Sequence, residues 1–574
     1  MKKFFFLLSV LAMFALNTEA KSITIDQAKA IAQQQCTQQL RSGNAKLSLS
    51  YVGRNLKGAN DYYVFNREGG NGFVIVSGDD VVSPVLGYSD RGSFDINEAP
   101  EPLKYLLDLY QQSLDCLRKN PQDVTTPKLR MNPNGVYPMF LNEYGEGPHW
   151  HQFAPYNNYF PLAANREHCL AGCVPIAFSH IMKGLQYPAY GNGSNTFTYE
   201  LDGETKTATA NFNHSYKYRN MKNGYTENSS GWQDCAQMIF DVAVAFNAKF
   251  STSSTNVSYP HIIKGMIAYF DYNPNIQFLQ KSSYSDANWR EMVYTELDEG
   301  RPVMYFGYRT IANDGSQCNV GHAFVMDGYD SEGRVRVIWG FQPEIYNSYF
   351  SFDLLSPRIY GNTPYEHDEV AEGFNSSQYA IMGIRPALED EQGGIVVTTT
   401  NYDAEAMPAN DVRGSFEVKA LSGPWQGSLR WAIAAKNGTS WTIMTSAQTA
   451  QVDLQENETA NIDISGSYSL SDGGTYYVVV WSPYFPNNYD WNWFLNDPMP
   501  FTIDNSITPE PQYTLGDVNN DGKINIGDVT ELIRLLLLNA EYNIAADMDE
   551  DGKMNIGDVT ALINYLLTNG SSED

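Results

Sequence analysis

One of the six cysteines in this 574-residue sequence is placed to react. Cys173 lies in Gly172-Cys173-Val174-Pro175-Ile176-Ala177-Phe178. From Val174 on, the apolar residues Val174, Ala177, Phe178, Ile181, Met182 and Leu185 recur at helical spacing. Pro175 suits a first helical turn, where its missing N–H costs nothing. Gly172 allows a tight entry. Cys173 is therefore expected at a helix N-terminus, where the macrodipole favours a thiolate. A nucleophilic thiolate also needs a base. His322 leads into Ala323-Phe324-Val325-Met326, which reads as a buried strand ended by Gly328. Thiolate and imidazole together do acyl transfer: attack on a carbonyl, an acyl-enzyme, then release by water. Two other readings compete. A helix-start cysteine is often just a small buried residue. Zinc held by His168, Cys169, Cys173 and His180 is the second, weakened because C-x3-C is not a usual zinc spacing and no second cysteine pair follows.

A second chemical cluster lies near the C-terminus. Gly516-Asp517-Val518-Asn519-Asn520-Asp521-Gly522-Lys523-Ile524-Asn525-Ile526-Gly527-Asp528 returns thirty residues later as Ala546 to Asp558. Calcium takes about six to eight oxygens on a sharply turning loop. The first loop offers Asp517, Asn519, Asp521, Asn525 and Asp528, with Lys523 through its carbonyl. The second offers Asp547, Asp549, Asp551, Asn555 and Asp558, with Lys553 through its carbonyl. Gly522 and Gly552 sit where each loop bends. Each loop ends in aspartate where the calcium motif normally has glutamate, and the shorter arm is still a plausible ligand. Two Ca²⁺ sites are expected here, and no cofactor for catalysis.

The elements that must position these residues divide the chain. Residues 21–128 read as a small α+β unit: a helix over Ile23–Leu40, strands near Tyr62–Phe65 and Gly72–Asp80, and a helix over Pro102–Leu117. The polar stretch Lys119–Lys128 reads as an exposed linker. Residues 129–387 mix helical and strand signals and hold Cys173 and His322. Residues 390–505 carry short alternating runs, Gly394–Thr400, Arg413–Lys419, Leu429–Ala434, Thr459–Ile464 and Thr475–Trp481, which suggest a β-sandwich. A linker at 506–513 leads to the calcium repeats of 514–574, whose helices are expected over Glu531–Leu538 and Ala561–Leu567.

Motifs on both sides of the nucleophile resemble one family. Cys173-Val174-Pro175-Ile176-Ala177 with Tyr187-Pro188, Gly321-His322-Ala323-Phe324-Val325 with Asp327-Gly328-Tyr329, and Trp150-His151-Gln152 with Pro155-Tyr156-Asn157 resemble peptidase family C10, the streptopain-like cysteine proteases. Gly72-Phe73-Val74-Ile75-Val76-Ser77-Gly78-Asp79-Asp80 resembles the family's proregion. The resemblance implies a papain-like α+β fold behind an α+β inhibitory propeptide that covers the site until it is cut away. It implies protein or peptide substrates, Cys173 as nucleophile and His322 as base. It implies that Gln152 donates to the oxyanion and that Trp339 packs over the histidine. The family carries Asn-Trp-Gly-Trp where this chain has Ile338-Trp339-Gly340-Phe341. Ile338 thus stands where an asparagine would orient the imidazole, so a sluggish enzyme is expected, improved by Ile338→Asn. A catalytically impaired binding or inhibitory protein is the alternative, and another thiol acyl transferase a third. The C-terminal repeats, each a loop followed by one helix, resemble a dockerin, which implies a cohesin-like partner.

Composition closes off other classes. Net charge is −28, so nucleic acid is not an expected partner. Lys2 and Lys3, the apolar run Phe4–Leu16 and the small Ala20 read as a signal peptide over residues 1–20. Export to the outside or the cell surface is expected, with no membrane span, because the run is too short to cross a bilayer.

Overall fold

A Thr24-x-x-Gln27 box opens the first helix. Gln27 N–H donates to Thr24 Oγ1 at 3.3 Å, and Thr24 N–H donates to Gln27 Oε1 at 2.8 Å. The structure, a computed structural model, describes residues 21–38, 45–55, 58–119, 131–226, 228–311, 317–352, 377–438, 440–484, 494–507 and 514–569. The expected signal peptide, nearly all of the Lys119–Lys128 linker and most of the 506–513 linker lie outside the described residues.

The N-terminal segment, residues 21–119, holds α1 (Ile25–Gln38), β1 (Leu47–Arg54), β2 (Asn60–Arg67), β3 (Phe73–Ser77), β4 (Val85–Ser89) and α2 (Glu101–Lys119). The following region holds α3 (Cys173–Leu185), the hairpin β5 (Ser194–Leu201) and β6 (Glu204–Asn211), α4 (Gln233–Ala245) and α5 (Tyr259–Ala268). It continues with β7 (Gln277–Gln280), α6 (Asp286–Asp298), β8 (Val303–Ile311), β9 (Gln317–Tyr329), β10 (Arg334–Ile338), β11 (Tyr349–Ser351) and β12 (Ser377–Met382).

Ten of these strands form one sheet, in the order β1-β2-β3-β4-β11-β10-β9-β8-β12-β7. Its fourth joint is β4 on β11, where Tyr349 pairs with Tyr88 and Phe350 with Gly87. The N-terminal segment therefore does not end at its own sheet edge. Gly87 is required at this joint: a Cβ there would lie 2.9 Å from both the Tyr349 carbonyl and the Phe350 ring. Around the joint Ser89 Oγ donates to Ile345 O (2.9 Å) and Tyr110 OH to Ser351 O (2.8 Å).

Two cores follow from the alternation of β9. Ala323 and Val325 pack with Ile176, Phe178 and Ile181 of α3 and with α4 and α5. Phe324 and Met326 pack with Leu103, Leu106, Leu107 and Tyr110 of α2, with Trp289 of α6 and with Trp339. The second core is thus shared between α2 and the sheet that carries His322.

Downstream, antiparallel strands occur at Ile395–Tyr402, Gly414–Ala420 and Thr459–Asp463 in one sheet. The long strand Trp425–Asn437 pairs with Ser440–Ile443, Gln448–Leu454 and Thr475–Val480. The Phe416 and Trp431 rings, one from each group, lie 6.2 Å apart. A second unit comprises residues 403–413, 465–475 and 501–574. Its C-terminal part carries α7 (Ile526–Leu537) and α8 (Ile556–Asn569). They pack through Val518, Val529, Leu532, Ala546, Val559 and Leu562. Both helices start five residues before the expected positions, because residues inside the loops cap them: Asn525 and Asp528 form a capping box at α7, and at α8 Asn555 N–H donates to Asp558 while Asn555 Oδ1 accepts Gly557 N–H.

Candidate active site

Cys173 is the first residue of α3, and Gly172 enters with φ +87°. No side chain fits at 172, where a Cβ would lie 2.9 Å from the Thr255 carbonyl. The amides of Ala323, Val174 and Cys173 itself lie about the half-buried sulfur and favour its charged form. Burial pushes the thiol above its ordinary value, against the pull of those amides. Ala323 is the residue after His322, so the helix start sits directly on the strand that carries the imidazole.

His322 is buried in β9 opposite Gly307. Its Nε2–H donates to the Trp339 carbonyl at 2.7 Å. The ring lies 5.0 Å from Phe341 and 6.3 Å from Phe324. Burial lowers its pKa to about 4, while the Trp339 carbonyl raises it. Both shifts oppose a thiolate–imidazolium pair, and no hydrogen bond among the described residues joins Cys173 to His322. The imidazole has the strand parity of Phe324, whereas the sulfur meets the strand at Ala323.

Two expectations are corrected here. The Trp339 ring does not cover His322: just past β10, it packs 4.9 Å from Phe324 and 5.7 Å from Phe350 in the core shared with α2. Its backbone carbonyl meets the imidazole instead, and Phe341 is the aromatic beside the ring. Nor does Ile338 leave the imidazole without an orienting group. Ile338 is fully buried with Ala323, Val325 and Ile176, and Trp339 takes the Nε2 proton one residue later. Asn347 fixes that residue, its Oδ1 accepting Trp339 N–H at 2.8 Å. Ile338→Asn is therefore expected to leave kcat/KM flat or lower it. It also buries an amide that must find partners, at a cost of about 1–3 kcal/mol. Kinetics on one peptide beside thermal melts check this, and a tenfold gain in kcat/KM would refute it.

Gln152 is buried beside the nucleophile loop. Its carbonyl accepts Ala171 N–H at 3.0 Å, and Trp150 N–H donates to His180 Nε2 of α3 at 3.0 Å. The Gln152 side-chain amide makes no hydrogen bond among the described residues, so it can serve an incoming group. His180 is thus a structural acceptor, and His168 is held by Nδ1 at 2.7 Å from the Phe160 carbonyl. That leaves the zinc reading without its histidines. Cys36, Cys169, Cys173 and Cys235 are free thiols; the side chains of Cys116 and Cys318 lie outside the described residues. Sequence reasoning missed Tyr259 and Tyr308, whose hydroxyls bond at 2.5 Å. Their burial, with the nearby Cys173 charge, raises both phenols. Their distance in sequence from Cys173 gives no signal.

In the tail the two loops have matching backbone geometry. Asp517 accepts the N–H groups of Asp521 (3.0 Å) and Gly522 (2.8 Å), and Asp547 those of Asp551 (3.1 Å) and Gly552 (2.9 Å). Asp528 and Asp558 accept from Asn525 and Asn555 at 2.8 and 2.7 Å. Gly522 and Gly552 have φ of +78° and +79°, the left-handed bend each loop needs. Oxygens of Asp547, Asp549 and Asp551 lie within 4.8 Å of one another. Burial and like charge from Asp551 raise the Asp549 pKa. An all-oxygen donor set of this kind fits a hard cation.

Known proteins resemble the chain in three blocks. Residues 20–114 match the Spi protease inhibitor family, 150–350 the Peptidase C10 family, and 515–567 the Dockerin type I domain. The thiol protease/hemagglutinin PrtT of Porphyromonas gingivalis is 26% identical over 460 residues. That match covers 77% of this chain but only 51% of PrtT, about half its length. Streptopain of Streptococcus pyogenes is 28% identical over 359 residues, covering 59% of this chain and 84% of streptopain. Among solved structures, the prointerpain A fragment of Prevotella intermedia is 23% identical with a TM-score of 0.45. It covers 58% of this chain and 98% of that one. The helix-start Cys173 and the strand-borne His322 both lie in residues 150–350, the segment that matches the Peptidase C10 family of cysteine peptidases, and residues 515–567 match the dockerin type I domain.

Proposed function

We propose that the chain is an exported bacterial cysteine endopeptidase, made as an inactive precursor. Cys173 attacks the substrate carbonyl as thiolate. His322 takes the thiol proton and later gives it to the leaving amine. Gln152 donates its side-chain N–H to the oxyanion, and the Trp339 carbonyl orients the imidazole. The observation that carries this reading is Cys173 at the first position of α3, its sulfur near the amide that follows His322 in β9. The test is labelling of the matured protein with a peptidyl thiol-directed inhibitor: mass spectrometry should find the adduct on Cys173, and an adduct elsewhere would overturn the assignment. The raised thiol and lowered imidazole fit a latent state in which the pair has not formed. A catalytically impaired, protease-like binding protein is the second reading, favoured by that unassembled pair.

The sheets of 390–505 serve on this reading as a β-sandwich spacer. The dockerin repeats bind two Ca²⁺ and dock a cohesin-like partner outside the cell. Calorimetry on the full chain should find two Ca²⁺ equivalents. Asp517→Ala and Asp547→Ala should each remove one, and hydrolysis should stay within about twofold because the metal stabilises only the domain that binds it. A wild-type Ca²⁺ stoichiometry in either variant would refute its site.

A further inference from the structure

Just after Phe341, where the chain departs from the C10 motif, the Gln342 side-chain amide lies 2.8 Å from His151 Nε2. His151 is buried, edge-on to Tyr156 at 4.6 Å, and precedes Gln152 in the chain. Its Nδ1 accepts Phe153 N–H at 3.3 Å. A neutral imidazole with an accepting Nδ1 carries its hydrogen on Nε2. Burial keeps the ring neutral, its pKa lowered to about 4, with His149 pushing the same way and Glu344 opposing. The Gln342 amide nitrogen faces Nε2, and a half-turn of the amide, which leaves its shape unchanged, presents the oxygen to the Nε2–H instead.

We propose that Gln342 is a positioning residue for the peptidase site: through His151 it clamps the segment that holds His322 to the segment that carries Gln152. The inference rests on the reading of Cys173, His322 and Gln152 as the reacting groups. His151 belongs to the nucleophile's wall, because its neighbours Trp150 and Gln152 bond to His180 and Ala171. Gln342 belongs to the histidine's wall, one residue from Phe341 and three from Trp339. The Gln342 contact thus ties together two walls whose reacting groups must meet within a fraction of an ångström. A group that acts on spacing, and touches no substrate, changes kcat and leaves KM in place.

The test uses the full chain after maturation, with any variant that fails to process itself cut by the wild-type enzyme. Gln342→Ala should lower kcat about tenfold with KM within about twofold. Gln342→Glu, which still accepts from Nε2–H, should restore most of kcat. His151→Phe keeps the ring packing but loses the hydrogen, so it should match Gln342→Ala. The double variant should then be no slower than either single one. A wild-type kcat in Gln342→Ala overturns the clamp, as do failed rescue by glutamate and additive losses in the double variant. Activity in Cys173→Ala would instead overturn the catalytic reading beneath it, so the two failures are distinguishable.

Discussion

Cys173→Ala is expected to abolish both peptide hydrolysis and self-maturation, lowering kcat by at least about a thousandfold. No other described thiol can take its place. Cys36, Cys169 and Cys235 are fully buried, and burial raises all three. Among the described thiols only Cys173 is partly exposed, and nearby amides favour its charged form. Cys169→Ala should keep most activity and lose at most about 1–2 kcal/mol of stability from a small core deletion. The measurement is kcat on a fluorogenic peptide, with precursor processing followed on gels. Turnover in folded Cys173→Ala at even a tenth of wild type would move the nucleophile elsewhere.

The second large effect is latency. The full-length chain should be nearly inactive, and removal of the proregion should raise activity by at least about a hundredfold, since an unassembled pair supplies little of the nucleophilic term. In this structure burial holds His322 and Cys173 neutral, and the strands carrying His322 share a core with α2. The grip is concentrated at β4 and β11, so Gly87→Val should weaken it, because Tyr349 and Phe350 leave no room for a side chain. That precursor should mature faster when cut in trans by the wild-type enzyme. A precursor as active as the processed protein rules latency out. A Gly87→Val precursor that folds and matures no faster moves the grip away from β4.

Local signals were legible in the sequence. The apolar stripe after Cys173 and the proline at its third position place α3 correctly, and alternation finds five downstream strands to within a few residues at most of their ends. β4 was not legible as a strand, because Pro84 and Gly87 break its pattern and one of its two partners, β11, lies more than 250 residues away. The orienting group for His322 was not legible either. It is a backbone carbonyl, which has no residue type, and a motif comparison at Ile338 looks only for a side chain. Phe341 was visible as a departure from the family, but its place beside the imidazole depends on how β9 and β10 pair. The capping of α7 was recoverable from Asn525 and Asp528, which served the calcium reading alone.

The ten-stranded sheet also bears on how activation proceeds in time. A cut in the linker after α2 breaks one covalent bond and none of the hydrogen bonds between β4 and β11. The freed segment remains a ligand of the enzyme that released it, governed thereafter by mass action. Dilution should therefore awaken a freshly nicked sample and concentration should silence it again. That reversibility ends when the segment itself is digested, so the onset of activity should show a lag that shortens as the first molecules destroy the inhibitor of the rest.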